Sequence, residues 1–329
     1  MIKEHNISLK TYTDQLDEKW INQLVEKDLF KMFIPASLGG LEANLADASK
    51  LLVDTATFHG SLGWIHNLGA GANYFCGFFD EETAQHLFSP KNAISSGSGR
   101  SSGQFELVNE GFKLNGEWDK CTGANYASLF TANAIDKNEN IKSFIIPKEE
   151  VEIIKSWMGF GLKTSSSDSF KLSNVVIPKT HTFEIGIVKS FDHYFIYKVP
   201  FELFARICLS ASFEGIVRCF INHFNKLNQS KKLKDDIQTA IEQLNKLFTY
   251  REQLAVEIEK AIKSNNPITE STILKASNSL GDRHFNIYKT IAGIYWNGGL
   301  SLSNEKEFSH WAFRDVMTAI QHYMIKVKS

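Results

Sequence analysis

The chain has 329 residues, of which 36 are Lys or Arg and 37 are Asp or Glu, so its formal net charge is −1. Hydrophobic residues make up 43% and charged residues 22% of the sequence, which is the composition of an ordinary globular protein with a sizeable core. These values exclude a strongly basic nucleic-acid binder and a disordered acidic chain.

The first 90 residues are predicted to form an N-terminal helical domain. Apolar side chains recur at helical spacing over 14–29, and Pro35 then interrupts the pattern. A long apolar helix follows, and acidic residues at 80–82 begin a short helix that ends before Pro90. The segment 62–79 contains four glycines and several polar residues, so we predict a buried pair of helices there rather than a membrane span.

Residues 91–185 show the two-residue alternation of strands, and we predict a middle β-barrel domain. Polar turns near 109–111 and 136–140 each join two alternating runs, which is typical of β-hairpins. The run SSGSGRSSG at 95–103 matches no phosphate-binding motif. It is expected to be a flexible polar loop, or a wall of small residues that lets a flat ligand approach the backbone.

Residues 186–329 are predicted to form a C-terminal four-helix bundle. Long helical segments are expected over 200–226, 231–263, 267–295 and 305–326. An order of helices, then strands, then helices excludes a doubly wound α/β fold, in which strands and helices alternate. The predicted fold class is therefore α+β, and mostly α.

The cysteines and the N-terminus indicate a reducing, cytoplasmic location. The chain contains four widely spaced cysteines with no CxxC pair, and it begins without the apolar core of a signal peptide. We therefore expect buried free thiols rather than disulfides. The sequence contains no zinc-binding pattern, so no metal site is predicted, and neither a membrane nor a nucleic acid is expected as a partner.

Five motifs in chain order carry a functional signal. They are FIPASLGG at 33–40, GSLGW at 60–64, GFKLNGEWDKCTGANYA at 111–127, MGFGLKTSSSDSFKLSNVVIP at 158–178 and WAFRDVMTAIQH at 311–322. Together they resemble the acyl-CoA dehydrogenase superfamily over nearly the whole chain. That family has the order of helical, β and helical sections predicted above, so the resemblance implies an acyl-CoA dehydrogenase-like fold.

In detail the chain resembles the two-component flavin-dependent monooxygenases, the group D branch of this superfamily. The dehydrogenases carry a catalytic Glu beyond an Arg-Asp pair, but no Glu follows Arg314 and Asp315 here. The monooxygenases instead have GSxxW, a Trp followed by [ST]-G, and a His eight residues after the Arg. The matching residues of this chain are Gly60, Ser61, Trp64, Trp118, Thr122, Gly123 and His322.

The resemblance implies that a reduced FAD or FMN, supplied by a partner flavin reductase, lies between the β section and the bundle. With O2 it would oxygenate a small aromatic or similar substrate. Thr122, near the flavin, and His322, as a base or as a stabiliser of the oxygen adduct, are the expected catalytic residues. The expected cofactor-binding residues are Trp64, Ser96, Trp118, Thr122, Gly123, Ser166 and Arg314. The resemblance also implies a homotetramer or homodimer.

One position departs from the monooxygenase pattern and leaves two alternatives open. Many members have a second His near the position of Ala72, whereas His66 of this chain lies on a different face of the same helix. The chain can instead be an acyl-CoA dehydrogenase with a relocated base, or a non-catalytic member that has lost flavin. Two of the motif features also have a purely structural interpretation. Trp64 and Trp118 can be core residues, and Arg314 and Asp315 can form an ion pair within the bundle.

Overall fold

The computed structural model describes residues 7–224 and 230–327. Its N-terminal helices are α1 (Lys10–Thr13), α2 (Glu18–Glu26), α3 (Leu45–Phe58), α4 (Gly60–Ala72) and α5 (Glu81–Phe88). The side chains of Asp17, Asn44 and Asp80 each accept a backbone N–H at the start of α2, α3 and α5. Such short polar residues satisfy amide groups that the first helical turn leaves unpaired.

The helix predicted over 14–29 is shorter in the structure, where it is α2. Asp17 caps its first turn, and Asp28, two residues beyond its end, has a left-handed backbone with φ 56° that a right-handed helix does not adopt. The prediction was wrong at both boundaries because apolar spacing continues past the residues that begin and end the helix.

The helical pair predicted over 62–79 is α4 followed by a 3-10 helix over Asn73–Phe78. Asn73 fixes this junction because its Nδ2 donates to the backbone oxygens of Phe30 at 2.9 Å and Ala93 at 2.8 Å. Those bonds tie the end of α4 to the residues that precede the first strand.

Seven strands form one sheet in the described residues. They are β1 (Ser95–Val108), β2 (Gly111–Cys121), β3 (Leu129–Ile135), β4 (Ile141–Pro147), β5 (Glu152–Ile154), β6 (Asp168–Ile177) and β7 (Thr182–Phe183). Their order across the sheet is β5-β6-β2-β1-β3-β4-β7. Both predicted hairpins are confirmed, because β1 pairs antiparallel with β2 and β3 pairs antiparallel with β4, while β1 and β3 are parallel.

The sheet does not close into the predicted barrel. Its two edges are β5 and β7, with three and two residues, and they do not pair with each other in the described part of the chain. Strands this short offer few backbone groups for closure, as is common at protected sheet edges. The strands nevertheless bury an apolar cluster of their own, in which the rings of Trp118 and Phe170 stack with centroids 4.9 Å apart.

The Ser and Gly run at 95–103 is a strand rather than the predicted flexible loop. It forms the first part of β1 and pairs in parallel with β3 from Ser95 to Ser98, after which the register shifts before Gly103. Ser and Gly have little intrinsic preference for strands, so their composition conceals a strand that is held by its neighbours. The register shift is the irregularity that such a run introduces.

Four C-terminal helices confirm the predicted bundle. They are α6 (Phe201–Phe224), α7 (Lys231–Lys263), α8 (Glu270–Asn297) and α9 (Phe308–Ala319). The helix α9 is shorter than the predicted 305–326, because the chain leaves it before His322 and makes a 3-10 turn over Tyr323–Ile325. This early end brings His322 out of a helix and into a connecting segment.

The helices α3, α4 and α6 approach one another closely at Ala56. A Cβ atom built on Gly63 of α4 would lie 2.3 Å from Ala56 Cβ, and one on Gly215 of α6 would lie 2.5 Å from it. Only glycine permits backbones to come this near. The N-terminal helices and the bundle therefore share one apolar core, which fixes α4 relative to α6.

Within residues 7–224 and 230–327, no helix combines the length and the apolar composition that crossing a membrane requires. The same residues contain no group of three or more His, Cys, Asp or Glu that could hold a metal ion. All four cysteines are buried, and none of them forms a disulfide.

Three fully buried histidines make the fold sensitive to acid. Burial lowers the pKa of His59 to about 3 and the pKa values of His66 and His284 to about 4. An unfolded histidine titrates near pH 6.5, so the unfolded chain binds these protons first. The contribution of the neutral histidines to the free energy of unfolding is fully present above pH 6.5. It is lost as the pH falls from 6.5 through 4. Asp315 acts in the opposite direction because burial raises its pKa to about 7, but the histidines with lowered pKa values outnumber it.

We expect the free energy of unfolding, measured with urea, to decrease steadily between pH 6.5 and 4.5. Each buried histidine contributes a slope of about 1.4 kcal/mol per pH unit where only its unfolded form is protonated. The variant His66→Gln should show a slope smaller by about that amount. A free energy of unfolding that stays constant across this range would contradict the assignment.

Candidate active site

A cavity of about 840 Å³ lies between the sheet and the helices. Its lining comes from β1 and the turn after β2 on one side, from α4 and α6 on the other, and from the chain after α9. This volume falls within the range of roughly 300–1,000 Å³ that is usual for small-molecule and cofactor sites. The sheet side is largely polar, and the helical side is largely apolar.

The sheet side of the cavity carries a series of linked hydroxyl groups. Ser96 Oγ donates to the Thr122 carbonyl at 2.8 Å, and Thr122 Oγ1 lies 2.9 Å from Ser167 Oγ. These side chains are buried yet border the cavity. Because a hydroxyl has one donor hydrogen and two acceptor lone pairs, each keeps capacity to bond a ligand. The wall therefore suits the polar edge of a ring system.

Asp168 organises the loops behind these hydroxyls. Its Oδ1 accepts the backbone N–H groups of Ser156 and Trp157, both at 3.0 Å, and its Oδ2 accepts the Ser166 hydroxyl at 3.0 Å. Ser166 has a left-handed backbone with φ 47°, and Gly123 in the facing turn has φ 77°. Such a conformation at a non-glycine residue persists only where surrounding bonds impose it. The loop around Ser166 is thus a support for the cavity wall.

The opposite side of the cavity is formed by two helices. From α4 it receives Trp64, Leu68 and Ala72, and from α6 it receives Phe204 and Cys208. A spacing of four residues places these side chains on one face of each helix. Burial raises the pKa of the Cys208 thiol, so it stays protonated and behaves as a small apolar group. This side offers a ring compound mainly dispersion and apolar contact.

His322 lies at the end of the cavity, beside Trp64. Their rings meet edge to face with centroids 5.8 Å apart. The Nδ1 atom of His322 accepts the backbone N–H of Met324 at 3.3 Å. Enclosure by protein lowers the pKa of His322 to about 4, and the positive charge of Arg206 adds to the effect. At neutral pH the ring is therefore uncharged, and the proton resides on Nε2.

Two residues of the bundle hold the segment that follows His322. Arg206 Nη1 donates to the carbonyls of Met324 at 2.8 Å and Lys326 at 2.9 Å. His284 Nδ1 lies 2.9 Å from the Ile325 carbonyl. These bonds attach the terminal segment to α6 and α8, and they fix the position of the His322 ring.

The mouth of the cavity is charged. It is lined by Arg100 and Lys120, which are exposed, and by Asp119, which is partly exposed and whose Oδ2 lies 3.4 Å from Arg100 Nη1. Exposed pairs of this kind contribute little to stability. Two cations and one anion leave a net positive charge at the entrance.

The structure brings together four of the residues predicted from sequence. Trp64, Ser96, Thr122 and His322 all line the cavity, although they come from four separate parts of the chain. Gly123 and Ser166 lie behind the lining, in the turns that hold it.

Trp118 lies apart from the cavity, in the apolar cluster of the sheet. Its ring stacks on Phe170, and its Nε1 donates to the Asn133 carbonyl at 2.9 Å. A Cβ atom on Gly103 would come within 2.1 Å of the ring, so the indole is tightly enclosed. These contacts agree with the interpretation of Trp118 as a core residue.

Arg314 also lies outside the cavity lining, and it forms no salt bridge with Asp315 among the described residues. Instead, both residues attach the 158–164 loop to α9. Arg314 Nε donates to the Phe160 carbonyl at 2.5 Å, and Asp315 Oδ1 accepts the Leu162 N–H at 2.5 Å. The predicted ion pair is therefore wrong, since each side chain bonds to backbone of the loop.

Several lining residues were not predicted from the sequence. Trp157 immediately precedes the MGFG motif, and its Nε1 donates to the Leu162 carbonyl at 2.8 Å. Asn67 lies on α4, the helix that contains GSLGW, and its position one turn after Trp64 was the available signal. His66, by contrast, is buried against Thr55 and the Leu29 carbonyl, away from the cavity as the helical spacing predicted.

No family model matches the chain. In sequence it is 24% identical over 172 residues to a pigment production hydroxylase of Rhodococcus sp., covering 51% of this chain and 44% of that protein. It is 30% identical over 164 residues to the oxygenase component of p-hydroxyphenylacetate 3-hydroxylase of Acinetobacter baumannii, covering 48% and 39%. The chain spans about half the length of the curated relatives it matches.

Solved structures match almost the entire chain. The HsaA monooxygenase of M. tuberculosis superposes with a TM-score of 0.87 at 17% identity, covering 95% of this chain and 87% of that one. XiaF of Streptomyces sp., solved in complex with FADH2 and glycerol, has a TM-score of 0.85 at 15% identity, covering 95% and 86%. The chain therefore has the acyl-CoA dehydrogenase-like fold and is similar to oxygenase components of two-component flavin-dependent monooxygenases, as its motifs predict.

Proposed function

We propose that the chain is the oxygenase component of a flavin-dependent monooxygenase that acts on a small aromatic substrate. The observation that carries this proposal is the shared cavity of Trp64, Thr122 and His322, which three distant motifs supply. The names of the relatives add support, because they include a flavin-dependent monooxygenase and two hydroxylases.

The residues of the cavity fit a flavin. Ser96, Thr122 and Ser167 offer hydroxyls to the polar edge of a flat ring, and Gly97 and Gly99 keep the adjacent strand free of bulky side chains. No atom lies within 4 Å of a Cβ built on Gly99. The net positive charge at the mouth suits a phosphate, which FMN and FAD both carry. We therefore propose FAD or FMN as the cofactor, as the names of the FADH2 and FMN complexes of its structural relatives suggest.

Reduced flavin would supply two electrons to O2, so that one oxygen atom enters the substrate and the other leaves as water. In this proposal the residues of the chain bind the flavin and orient it. Thr122 and Ser96 hold the polar edge of the ring system. Phe204, Leu68 and Ala72 form an apolar wall that keeps water away from the reacting atoms.

His322 is proposed to donate a hydrogen bond to the reacting oxygen or to the substrate. Its Nδ1 already accepts the Met324 N–H, so the cavity receives the Nε2 atom with its proton. This arrangement favours stabilisation of developing negative charge over proton abstraction, the other role considered for this residue. Because its pKa is lowered to about 4, His322 would keep this role throughout the physiological pH range.

The alternative of an acyl-CoA dehydrogenase is not favoured by the lining of the cavity. Such an enzyme needs a carboxylate base close to the ring, and among the lining residues in the described chain the only carboxylate is Asp119. Asp119 lies at the exposed mouth beside Arg100.

Three further parts of the proposal concern the partner protein, the oligomeric state and the cellular location. A flavin reductase is the proposed partner, since the relatives include proteins named as oxygenase components. A homotetramer or homodimer is proposed on the support of exposed apolar side chains on α7 and α8, namely Val256, Leu274 and Phe285. A cytoplasmic location is supported by the four buried cysteines, none of which forms a disulfide.

Flavin titration with a matched pair of variants tests the proposal. A Cβ atom on Gly71 meets only Asn67 Oδ1, at 4.0 Å, so the side chain of Gly71→Phe extends into the cavity. Gly293→Phe is the control, because Gly293 is also a helical glycine with open space around its Cβ position. We expect FMN or FAD to bind the wild type and Gly293→Phe equally, and Gly71→Phe at least about tenfold more weakly. Failure of the wild type to bind either flavin would overturn the proposal.

A further inference from the structure

The terminal segment, residues 323–327, joins His322 to helix α8, which does not border the cavity itself. No described residue of α8 lines the cavity, whereas the first part of the terminal segment does. A Cβ atom built on Gly281 of α8 would lie 2.6 Å from the backbone nitrogen of Val327 and 2.8 Å from its Cα atom. Because only glycine permits so close an approach, the segment lies directly on the backbone of α8 at this point.

His284 forms a second contact between α8 and the terminal segment, one turn after Gly281. Its ring is buried, and its Nδ1 lies 2.9 Å from the Ile325 carbonyl. A carbonyl only accepts hydrogen bonds, so Nδ1 carries the proton, and Nε2 accepts the Ser210 hydroxyl at 2.9 Å. Burial lowers the pKa of His284 to about 4, so the ring keeps this arrangement at neutral pH. The neutral ring therefore bridges α6 and the terminal segment.

The terminal segment is connected to His322 by hydrogen bonds along its backbone. Ile325 is fully buried in the shared apolar core, and its N–H donates to the His322 carbonyl at 3.0 Å. The next bond back is the one from the Met324 N–H to His322 Nδ1. Arg206 binds the carbonyls of Met324 and Lys326, on either side of Ile325. A displacement of this segment is therefore passed on to the His322 ring.

A methyl group added at position 281 has to displace the terminal segment. Distances of 2.6 and 2.8 Å are shorter than the 3.4 Å of an ordinary contact, and the atoms concerned belong to the backbone of Val327. A misplacement of about 1 Å, even one caused far from the reacting atoms, can lower a rate about a hundredfold. The hydrogen bond proposed for His322 Nε2 is sensitive to such a shift, because hydrogen bonds weaken steeply with poor geometry. The hydroxyls proposed to bind flavin lie on the sheet side and should stay in place.

We propose that Gly281 and His284 are positioning residues, through which α8 sets the place of the His322 ring from outside the cavity. This inference rests on the proposed function, since His322 acts there on the reacting oxygen or on the substrate. Neither residue lines the cavity. Their replacement is therefore expected to change the rate of oxygenation and not the affinity for flavin.

Two glycines of α8 provide a matched pair of variants. Gly281→Ala adds a methyl group against the terminal segment, whereas Gly293→Ala adds the same group where no atom lies within 4 Å. Both changes replace a helical glycine with a better helix former, so they differ in the contact alone. We expect Gly293→Ala to oxygenate an aromatic substrate at the wild-type rate. Gly281→Ala should be slower by about tenfold to a hundredfold, with flavin affinity unchanged within twofold.

The variants His284→Leu and His284→Asn test the second contact. Leu removes the donor to the Ile325 carbonyl, and the Nδ2 atom of Asn can take the place of the His284 Nδ1 atom. We expect the Leu variant to lose rate as Gly281→Ala does, and the Asn variant to recover part of that loss. If Gly281→Ala fails to fold, this pair carries the same test.

A measurement without flavin detects the displacement itself. The chain is labelled with 5-fluorotryptophan, and the variant Trp64→Phe identifies the fluorine signal of Trp64 among those of the six tryptophans. Because the His322 ring lies 5.8 Å from the Trp64 ring, the chemical shift of this signal reports the position of His322. We expect the signal to move in His322→Leu and in Gly281→Ala, and to stay in place in Gly293→Ala.

A double variant shows whether Gly281 acts through His322. If it does, Gly281→Ala combined with His322→Leu reacts no more slowly than His322→Leu alone. Losses that multiply in the double variant would overturn the inference, and so would a Trp64 signal that Gly281→Ala leaves in place. A wild-type chain that binds no flavin, but whose Trp64 signal moves in Gly281→Ala, would overturn the proposed function and leave the control of His322 by α8 intact.

Discussion

Replacing His322 with Leu is expected to lower the rate of substrate oxygenation about a hundredfold while the affinity for flavin stays unchanged. Removal of one donor that faces developing negative charge typically has an effect of this size. His322 lies at the end of the cavity beside Trp64, and its protonated Nε2 is the atom left for a ligand. The measurement is stopped-flow oxygenation by the flavin-loaded chain, at pH 6 and at pH 8. The same loss is expected at both, since the His322 pKa of about 4 lies below this range.

His322→Gln is the matched control for this prediction. The Gln amide can place an N–H near the position of Nε2, so we expect it to restore part of the rate that the Leu variant loses. A base with a neutral pKa would instead give a rate that rises between pH 6 and pH 8, and Gln would not replace it. A wild-type rate of oxygenation in the Leu variant would show that His322 has no catalytic role.

Replacing Glu214 with Leu is expected to lower the free energy of unfolding by about 3–5 kcal/mol, because it leaves a buried cation without its partner. Glu214 and Arg251 are 1% and 0% exposed, and Glu214 Oε2 lies 2.6 Å from Arg251 Nη1. The second carboxylate oxygen lies 2.8 Å from Arg218. Urea unfolding at pH 7 measures the change.

The double variant Glu214→Leu with Arg251→Leu tests the cause of that loss. Apolar replacement of both partners of a buried pair is often nearly neutral, so the double variant should recover most of the lost stability. Arg218→Ala should have a small effect, since its side chain is partly exposed. A double variant as unstable as the single variant would show that packing at α6, and not the unpaired charge, limits stability.

The order of elements was predictable from the sequence because local patterns determine it. Alternation around polar turns identified both hairpins, and apolar spacing identified the long helices of the bundle. Boundaries were less predictable. Asp17 begins α2 later than the apolar spacing suggests, and the chain leaves α9 before His322. The prediction of a closed barrel was wrong. Closure depends on how two very short edge strands are placed, and no local sequence pattern indicates this.

The candidate site was predictable only where a motif marks it. Trp64, Thr122 and His322 belong to such motifs and line the cavity. Trp118 belongs to one as well, but it packs in the sheet, since a motif does not reveal the direction of a side chain on a strand. Asn67 carries no motif, and only the folded chain shows that it belongs to the cavity lining.

The most direct test of the proposed function follows oxygen itself. The chain is mixed with reduced FMN or FAD, oxygen-18 gas and a panel of small aromatic compounds, and the products are analysed by mass spectrometry. We expect a product that contains one additional oxygen atom, labelled with oxygen-18, and that forms only when the chain is present. Consumption of the oxygen as hydrogen peroxide with no labelled product, at the same rate with and without the chain, would contradict a monooxygenase function.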